Sequence, residues 1–476
     1  MPSVVRGTRV VQLIEAPLST LIDDCAYRFG NRTAVCVPWQ GVNISYLTLA
    51  QRSRMMSKAL LGVGLKHGDI VGIMAGNRFE YIETFLAGGR IGCPVVLMNN
   101  MFSPAELEQA MDRVTAESRV MANDILNLQF TSGTTGRPKA ACLTHRNILN
   151  DAMFVGAAMK LTPVDVVSCP PPLFHCFGLV MGFLAAFYHG SSIVFPFDTF
   201  DAEKTVESVL REKVTALLGV PTMFFAQLEL LDKQKGRFAP FTTVRTGLAA
   251  GAQVPAQLMN VILKRMNIPS LLIAYGMTET SPVTFITAIE DTEEKRFNTI
   301  GRVLPHTDAK IVDSCGRILP VGQRGEICTA GFPLQRGYWH DEEKTQEVMR
   351  EDENGVRWMH TGDEGYLDAD GYGYVTGRIK DLIIRGLEDK KYGEAVACFL
   401  KASDGAKPSR PSHVELRSWV SQTLGRHKEP KHIFWVGDEG VGTDLIKTAS
   451  GKYQKHLIRA LGNGLLKKSS PPSAKL

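Results

Sequence analysis

Between residues 190 and 280, short apolar runs alternate with segments of helical spacing, and this alternation restricts the fold more than any other feature of the chain. The runs SSIVF (191–195) and VTALLGV (214–220) have the composition of strands. Between them, Ala202 to Glu212 spaces its apolar residues as a helix does. Pro221 opens a second helix, FTTVRTG (241–247) reads as a strand, Pro255 to Met266 as a helix and SLLIAY (270–275) as a strand again. Repeated strand–helix–strand units imply a parallel sheet with right-handed crossovers. The fold class is therefore α/β, with doubly wound, mostly parallel sheets in a large N-terminal domain. Ligands of such sheets bind beyond the carboxyl ends of the strands. Two loops fall at such ends, Gly247-Leu-Ala-Ala-Gly251 and Tyr275-Gly-Met-Thr-Glu279. From Gly371 onward come short β-type runs (YGYVTG, LIIRG, AVACFL), a helical stretch (412–424) and HIFWV, the texture of a small α+β domain.

Residues 130–139, FTSGTTGRPK, carry the strongest chemical signal. Four hydroxyls (Thr131, Ser132, Thr134, Thr135), two bending positions (Gly133, Gly136) and the basic Arg137 and Lys139 make a cradle for phosphate oxygens. The spacing differs from the usual P-loop, and Pro138 followed by apolar AACL predicts a return strand rather than a helix. Taken alone, the stretch is also compatible with a Gly/Thr-rich hairpin turn.

Further along, Tyr275-Gly276-Met277-Thr278-Glu279 offers an aromatic face, a tight backbone, a hydroxyl and a carboxylate, which suit a purine, an α-phosphate and Mg²⁺. Asp363, in HTGDEG, is placed to chelate ribose hydroxyls or to be a solvated turn aspartate. Arg378, in TGRIKD, is placed to pair with phosphate or ribose or to form a surface salt bridge. Lys452, in TASGK, stands on a turn ahead of a helix, where an exposed lysine is the plain alternative.

The phosphate loop, YGMTE, HTGD, GRIKD and TASGK follow one another in the order and approximate spacing of the adenylate-forming superfamily, which the chain resembles over nearly its whole length. That superfamily comprises acyl-CoA synthetases, luciferases and adenylation domains. The resemblance implies a large AMP-binding domain (1–379), a small domain (380–464) that swings about a hinge at Lys380, and a flexible tail (465–476). It implies that residues 131–139 grip the triphosphate of ATP, Tyr275 stacks on adenine, and Gly251 and Gly276 line the nucleotide. It further assigns Thr278 to the α-phosphate, Glu279 to Mg²⁺, Asp363 and Arg378 to ribose, and catalysis to Lys452. The reaction implied is activation of a carboxylic acid to an acyl-adenylate, followed by thioester formation with coenzyme A. Pro171-Pro-Leu-Phe-His-Cys-Phe-Gly178 is similar to a motif of acyl- and aryl-CoA ligases in which His175 would gate the acid pocket. Met223, Phe224, Phe225, Leu248 and Ala249 are expected to line it, favouring an apolar acid.

Two stretches are shorter than the superfamily pattern. One lies between Asn100 and Leu126; the other follows Gly386, which would border the pantetheine channel. In place of a further glycine, Leu387-Glu-Asp-Lys-Lys leads straight to Tyr392-Gly-Glu394. A second reading is therefore a truncated or decayed member that binds nucleotide without full ligase activity. The motif order together with the trimming resembles fungal acyl-CoA ligases of secondary metabolism.

A net charge of +5 over 476 residues, with no long basic block, gives no case for nucleic acid. The nine cysteines form no CxxC pair and read as buried, reduced thiols. No secretory leader is expected at the N-terminus, and the apolar Cys176–Tyr188 stretch is too short to span a bilayer, so it reads as a buried helix. The C-terminal Ala474-Lys475-Leu476 resembles a peroxisomal address read by an import receptor.

Overall fold

The computed structural model describes residues 1–99, 120–131, 139–234, 236–251, 256–378, 384–389, 393–400, 412–417, 430–442 and 455–469. Most of the first 375 residues form one compact unit, and Thr376–Leu476 the body of a second.

A nine-stranded sheet organises the large unit. Its order is Arg302–Val303, Val283–Ile286, Leu271–Gly276, Thr246–Ala249, Ala216–Gly219, Val166–Ser168, Ser192–Val194, Thr33–Val37 and Val42–Ser45. The run from Leu271–Gly276 to Thr33–Val37 is parallel, and antiparallel strands close both edges. Side chains alternate between two cores with the period of two that a strand dictates. Leu218, Leu248 and Leu272 face one cluster; Leu217, Ala249 and Ile273 face the other. Helices Ala202–Arg211, Pro221–Lys233 and Ala256–Arg265 contribute Val206, Phe224, Leu228, Met259 and Ile262 to the second cluster. Leu18–Phe29, His145–Ala158 and the buried 177–188 helix supply the first. Helices on both faces make the sheet doubly wound, as the alternation predicts.

A four-stranded sheet, Val71–Met74, Val95–Met98, Ile125–Thr131 and Lys139–Thr144, shares the first cluster. Val95–Met98 and Ile125–Thr131, which flank the first shortened stretch, pair directly in parallel register. A further sheet runs Val4–Arg6, Thr307–Val312, Gly325–Gly331, Arg357–Leu367, Met349–Glu351. In the small unit, Ile384–Asp389, Gly393–Leu400 and His432–Trp435 form a three-stranded sheet.

One local expectation needs correction. FTTVRTG is not a strand throughout: the strand is Thr246–Ala249. Ahead of it, Thr243 Oγ1 bonds to the Val214 carbonyl, and the amides of Arg245 and Thr246 both turn to the Thr215 carbonyl, so regular pairing begins only at Thr246. The Gly247–Gly251 loop accordingly shrinks to Ala250 and Gly251. Asp363 lies on the Arg357–Leu367 strand and is buried, which removes the alternative of a solvated turn aspartate. Gly386 and Leu387 lie on the Ile384–Asp389 strand, in keeping with the β-type reading of LIIRG. Leu387 pairs with Ala395, Glu388 with Glu394 and Asp389 with Gly393 in antiparallel register.

Candidate active site

The phosphate loop springs from an antiparallel hairpin whose neck pairs Thr131 with Lys139. Residues 132–138 of the loop lie outside the described residues, as do Lys380, Lys452 and Ala474 to Leu476. The return strand runs into the His145–Ala158 helix through a capping box: Thr144 Oγ1 accepts the Asn147 amide (3.1 Å), and Asn147 Oδ1 accepts the Thr144 amide (2.9 Å). Asn147 Nδ2 also donates to the carbonyls of Phe332 and Leu334, and buried Asp151 Oδ2 accepts the Val283 amide at 3.1 Å. The helix that follows the loop is thus tied to two segments far away in sequence.

One of these segments carries YGMTE. Leu271–Gly276 ends at Gly276, and a short 3₁₀ turn, Thr278–Thr280, presents Thr278 and Glu279. A side chain at Gly276 would collide with the Pro282 carbonyl, which explains the glycine. The Thr280 hydroxyl accepts the Met277 amide at 3.1 Å and locks the turn. Tyr275 is half-buried, with its ring set edge-on to Phe285 at 6.0 Å. Glu279 is 6% exposed. Gly251, at the end of the neighbouring strand, has φ +84°, a backbone state that glycine adopts without strain.

The other segment, Gly331–Trp339, is one that the sequence analysis missed. Arg336 donates to the Cys142 carbonyl (2.9 Å), Cys142 to the Gly337 carbonyl (2.9 Å) and Trp339 to the Ala140 carbonyl (2.8 Å), adding this segment to the return strand. Tyr338, 7% exposed, donates its hydroxyl to Glu279 Oε1 at 2.7 Å, while Lys139 Nζ lies 5.0 Å from its ring centre. Burial and the adjacent carboxylate push the phenol well above its ordinary pKa.

His175 follows a proline turn. Its Nδ1 accepts the Phe177 amide at 3.1 Å, which leaves Nε2 as the protonated nitrogen of the neutral ring. Cys176 Sγ lies 3.8 Å from His175 Nδ1 and 3.8 Å from Thr278 Oγ1, so the PLFHCFG and YGMTE segments meet. The pocket residues do not converge in the same way. Leu248 and Ala249 point to opposite faces of the sheet, Phe224 is sealed in the core beside Ala249, and Phe225 is 51% exposed. Only some of that group can line a single cavity. Arg378 ends the Gly373–Arg378 strand, where Thr376 Oγ1 donates to Glu364 Oε2 at 2.8 Å.

The donor set at Glu279 suits a hard cation: a buried carboxylate with one oxygen already bonded, beside a hydroxyl. Glu326, Cys328 and His360 also cluster within 4.8 Å. Glu326 Oε2 and His360 Nδ1 are 2.8 Å apart, a hydrogen-bond length and shorter than the ~3.3 Å between two ligands of a tetrahedral ion. Burial pushes the Cys328 thiol up, away from the thiolate a metal needs. That cluster is a hydrogen-bonded group. Of the nine cysteines, eight are buried and Cys315 is exposed. Burial raises Cys142 to about 12 and Cys169 further.

A family model described as AMP-binding enzyme matches residues 22–120 and 112–339. The chain belongs to this family. The acyl-CoA ligase cnsG of Penicillium expansum is 42% identical, with 98% of this chain and 97% of that protein covered. The acyl-CoA ligase sidI of Aspergillus fumigatus is 37% identical, with 98% and 94% covered. In fold, the chain is similar to ATP-bound MatB from Rhodopseudomonas palustris (TM-score 0.73, 23% identity, 94% of this chain and 99% of that one). It is also similar to the anthranilate CoA ligase AuaEII in complex with anthranoyl-AMP (TM-score 0.75, 20% identity, 96% and 99%). The sidI alignment spans 560 positions against 476 residues here, so at least 84 positions of that relative have no counterpart in this chain. The cnsG alignment closes in 491 positions, 15 more than this chain has residues, and the shorter length is shared with that relative. The two family matches meet at 112–120, inside the first stretch that looks short.

Among the described residues, no helix is long and apolar enough to cross a membrane.

Proposed function

We propose that the protein is an AMP-forming acid–thiol ligase that converts a carboxylic acid to its acyl-CoA through an acyl-adenylate. The observation that carries this reading is the meeting, in one compact unit, of the phosphate-loop neck at Lys139, the buried Glu279 carboxylate and the His175 turn through Thr278. Similarity to cnsG, a fungal acyl-CoA ligase of nearly the same length, supports it over the truncated-enzyme reading.

The acid's carboxylate oxygen attacks the α-phosphorus of ATP, the bond to pyrophosphate breaks, and the mixed anhydride forms. The coenzyme A thiol then attacks the acyl carbon, the acyl–phosphate bond breaks, and AMP leaves. Residues 131–139 hold the triphosphate, and Tyr275, Gly276 and Gly251 hold the base. Thr278 donates to the α-phosphate, and Asp363 and Arg378 bind the ribose. His175, with its proton on Nε2, faces the acid as a neutral donor. Lys452 neutralises the charge that develops in line, so the chain's contribution is positioning and electrostatics. Glu279 would hold Mg²⁺, which when bound supplies charge neutralisation on the phosphates. The small unit, hinged at Lys380, presents Lys452 for the first step and Gly386 beside the pantetheine for the second. The fungal relatives support a place in fungal secondary metabolism. The Ala474-Lys475-Leu476 tripeptide supports delivery to peroxisomes by their import receptor.

The test is purified protein with ATP, Mg²⁺ and a panel of carboxylic acids, scored separately for pyrophosphate and for thioester. Acid-dependent pyrophosphate release followed by thioester is the expected result. ATP binding with no pyrophosphate from any acid would establish the truncated, inactive reading instead.

A further inference from the structure

We propose that Tyr338 is a positioning residue for the cation-binding carboxylate of Glu279 and, through its ring, for the phosphate-loop lysine Lys139. The proposal rests on the reading of Glu279 as the Mg²⁺ ligand. Three groups from separate parts of the chain converge here. The phenol donates its one proton to Glu279 Oε1 at 2.7 Å, and the Lys139 ammonium sits 5.0 Å from the centre of the same ring. Both Tyr338 and Glu279 are more than nine-tenths buried.

The backbone around the pair is fixed from both sides. Tyr338 N donates to Thr345 Oγ1 at 2.9 Å, and its neighbours are bonded into the Lys139–Thr144 strand. Gln335 N donates to the Glu279 carbonyl at 2.9 Å, which holds the 3₁₀ turn against the same segment. These bonds hold the two backbones in place, so the phenol and the carboxylate meet from fixed positions.

A carboxylate has two oxygens and turns freely about its last torsion. Occupying Oε1 with a buried donor selects one orientation and leaves Oε2 to face a cation. Donating that proton also enriches the phenol ring in electron density, which strengthens its hold on the ammonium above it. Tyr338 thus links the anionic and cationic halves of the triphosphate site without touching nucleotide itself.

The experiment uses the full chain with ATP and an acid on which the wild type releases pyrophosphate. Mg²⁺ is titrated for wild type, Tyr338→Phe, Glu279→Gln and the double variant, and Mn²⁺ binding with ATP is followed in parallel by electron paramagnetic resonance. Tyr338→Phe should raise both the half-saturating Mg²⁺ and the Mn²⁺ dissociation constant on the order of tenfold, with kcat at saturating metal within about twofold. In the Glu279→Gln background the same change should add nothing, since it acts through that carboxylate. Tyr338→His, which keeps a ring N–H donor, should recover part of the affinity, and it carries the comparison if melting shows that the phenylalanine variant has not folded. Metal curves that superimpose on wild type while Glu279→Gln is shifted would overturn the proposal. So would a loss of kcat with unchanged metal dependence, or a full effect in the Glu279→Gln background. If Glu279→Gln itself shifts nothing, the metal reading of Glu279 fails and this proposal with it.

Discussion

Gly276→Ala is the sharpest single perturbation of the nucleotide site that the geometry offers. A Cβ built on Gly276 lies 1.9 Å from the Pro282 carbonyl oxygen and 2.9 Å from its carbon. A relaxed carbon–oxygen contact needs about 3.3 Å, so the two strands must part by roughly 1.4 Å. The obstacle is backbone and cannot rotate away, and the Pro282 oxygen is also held by the Thr280 hydroxyl at 2.9 Å. Overpacking of this kind costs about 1–3 kcal/mol, and a fixed acceptor puts the substitution at the upper end, about 3 kcal/mol. In a chain of this size that lowers the melting temperature by roughly 5 °C. Displacing Thr278 and Glu279 by about 1 Å should cost on the order of 10²-fold in pyrophosphate release. Scanning fluorimetry and a pyrophosphate assay read the two effects. Gly464→Ala is the control: nothing lies within 4 Å of its Cβ, on the Lys455–Ser469 helix, so it should be neutral or slightly stabilising. A Gly276→Ala protein that melts and turns over like wild type would refute the account of the turn.

Lys452→Ala should lower pyrophosphate release by about 10²–10³-fold while ATP binding, followed by calorimetry, is retained; equal loss of both would remove the catalytic assignment. Burial lowers His145 from 6.5 to about 4, and its Nδ1 accepts the Leu18 amide at 2.9 Å. Because the folded state resists this proton, the contribution is complete above pH 6.5 and is lost as pH falls toward 4, up to about 3 kcal/mol. Urea midpoints at pH 7.5 and 4.5 should show a drop that His145→Asn flattens; equal slopes in the two proteins would contradict it. Removing Ala474-Lys475-Leu476 should move a tagged protein from peroxisomes to the cytosol with its melting temperature unchanged, and punctate localisation that persists would count against the address.

Much of this architecture was legible because local and global preferences agree. The parallel strands are fully buried, so ALLG and LLIA could only be apolar runs, and Pro221 stands at the first turn of its helix. The return strand after Pro138 was legible because proline cannot open that pairing but can precede it. What misled was tertiary. Thr243 and Val244 have strand-like side chains, yet the Thr243 hydroxyl goes to the Val214 carbonyl and the Arg245 and Thr246 amides share the Thr215 carbonyl, and no local propensity records that. For HTGD the sequence left a ribose ligand and a solvated turn both open, and the strand that buries Asp363 removes the second. Leu248 and Ala249 were grouped by proximity in sequence, and the period of the strand sends them apart. Tyr338 was missed because its partner, Glu279, lies 59 residues away, a separation that no local pattern encodes.

The buried thiols acquire a meaning once the intermediate is an activated acid. A mixed anhydride with AMP acylates any thiolate within reach, and a protein that makes one repeatedly is exposed to its own product. Cys142 lies on the strand that leaves the phosphate loop, and Cys176 lies against Thr278, both within the fabric of the site. Burial holds Cys142 near 12, so at neutral pH only about one molecule in 10⁵ carries it as a nucleophile. Of the nine cysteines, only Cys315, on the Asp313–Arg317 turn, stands in solvent. Around the site, the fold thereby leaves the field to an incoming thiol, with Cys142 and Cys176 kept out of reach by packing.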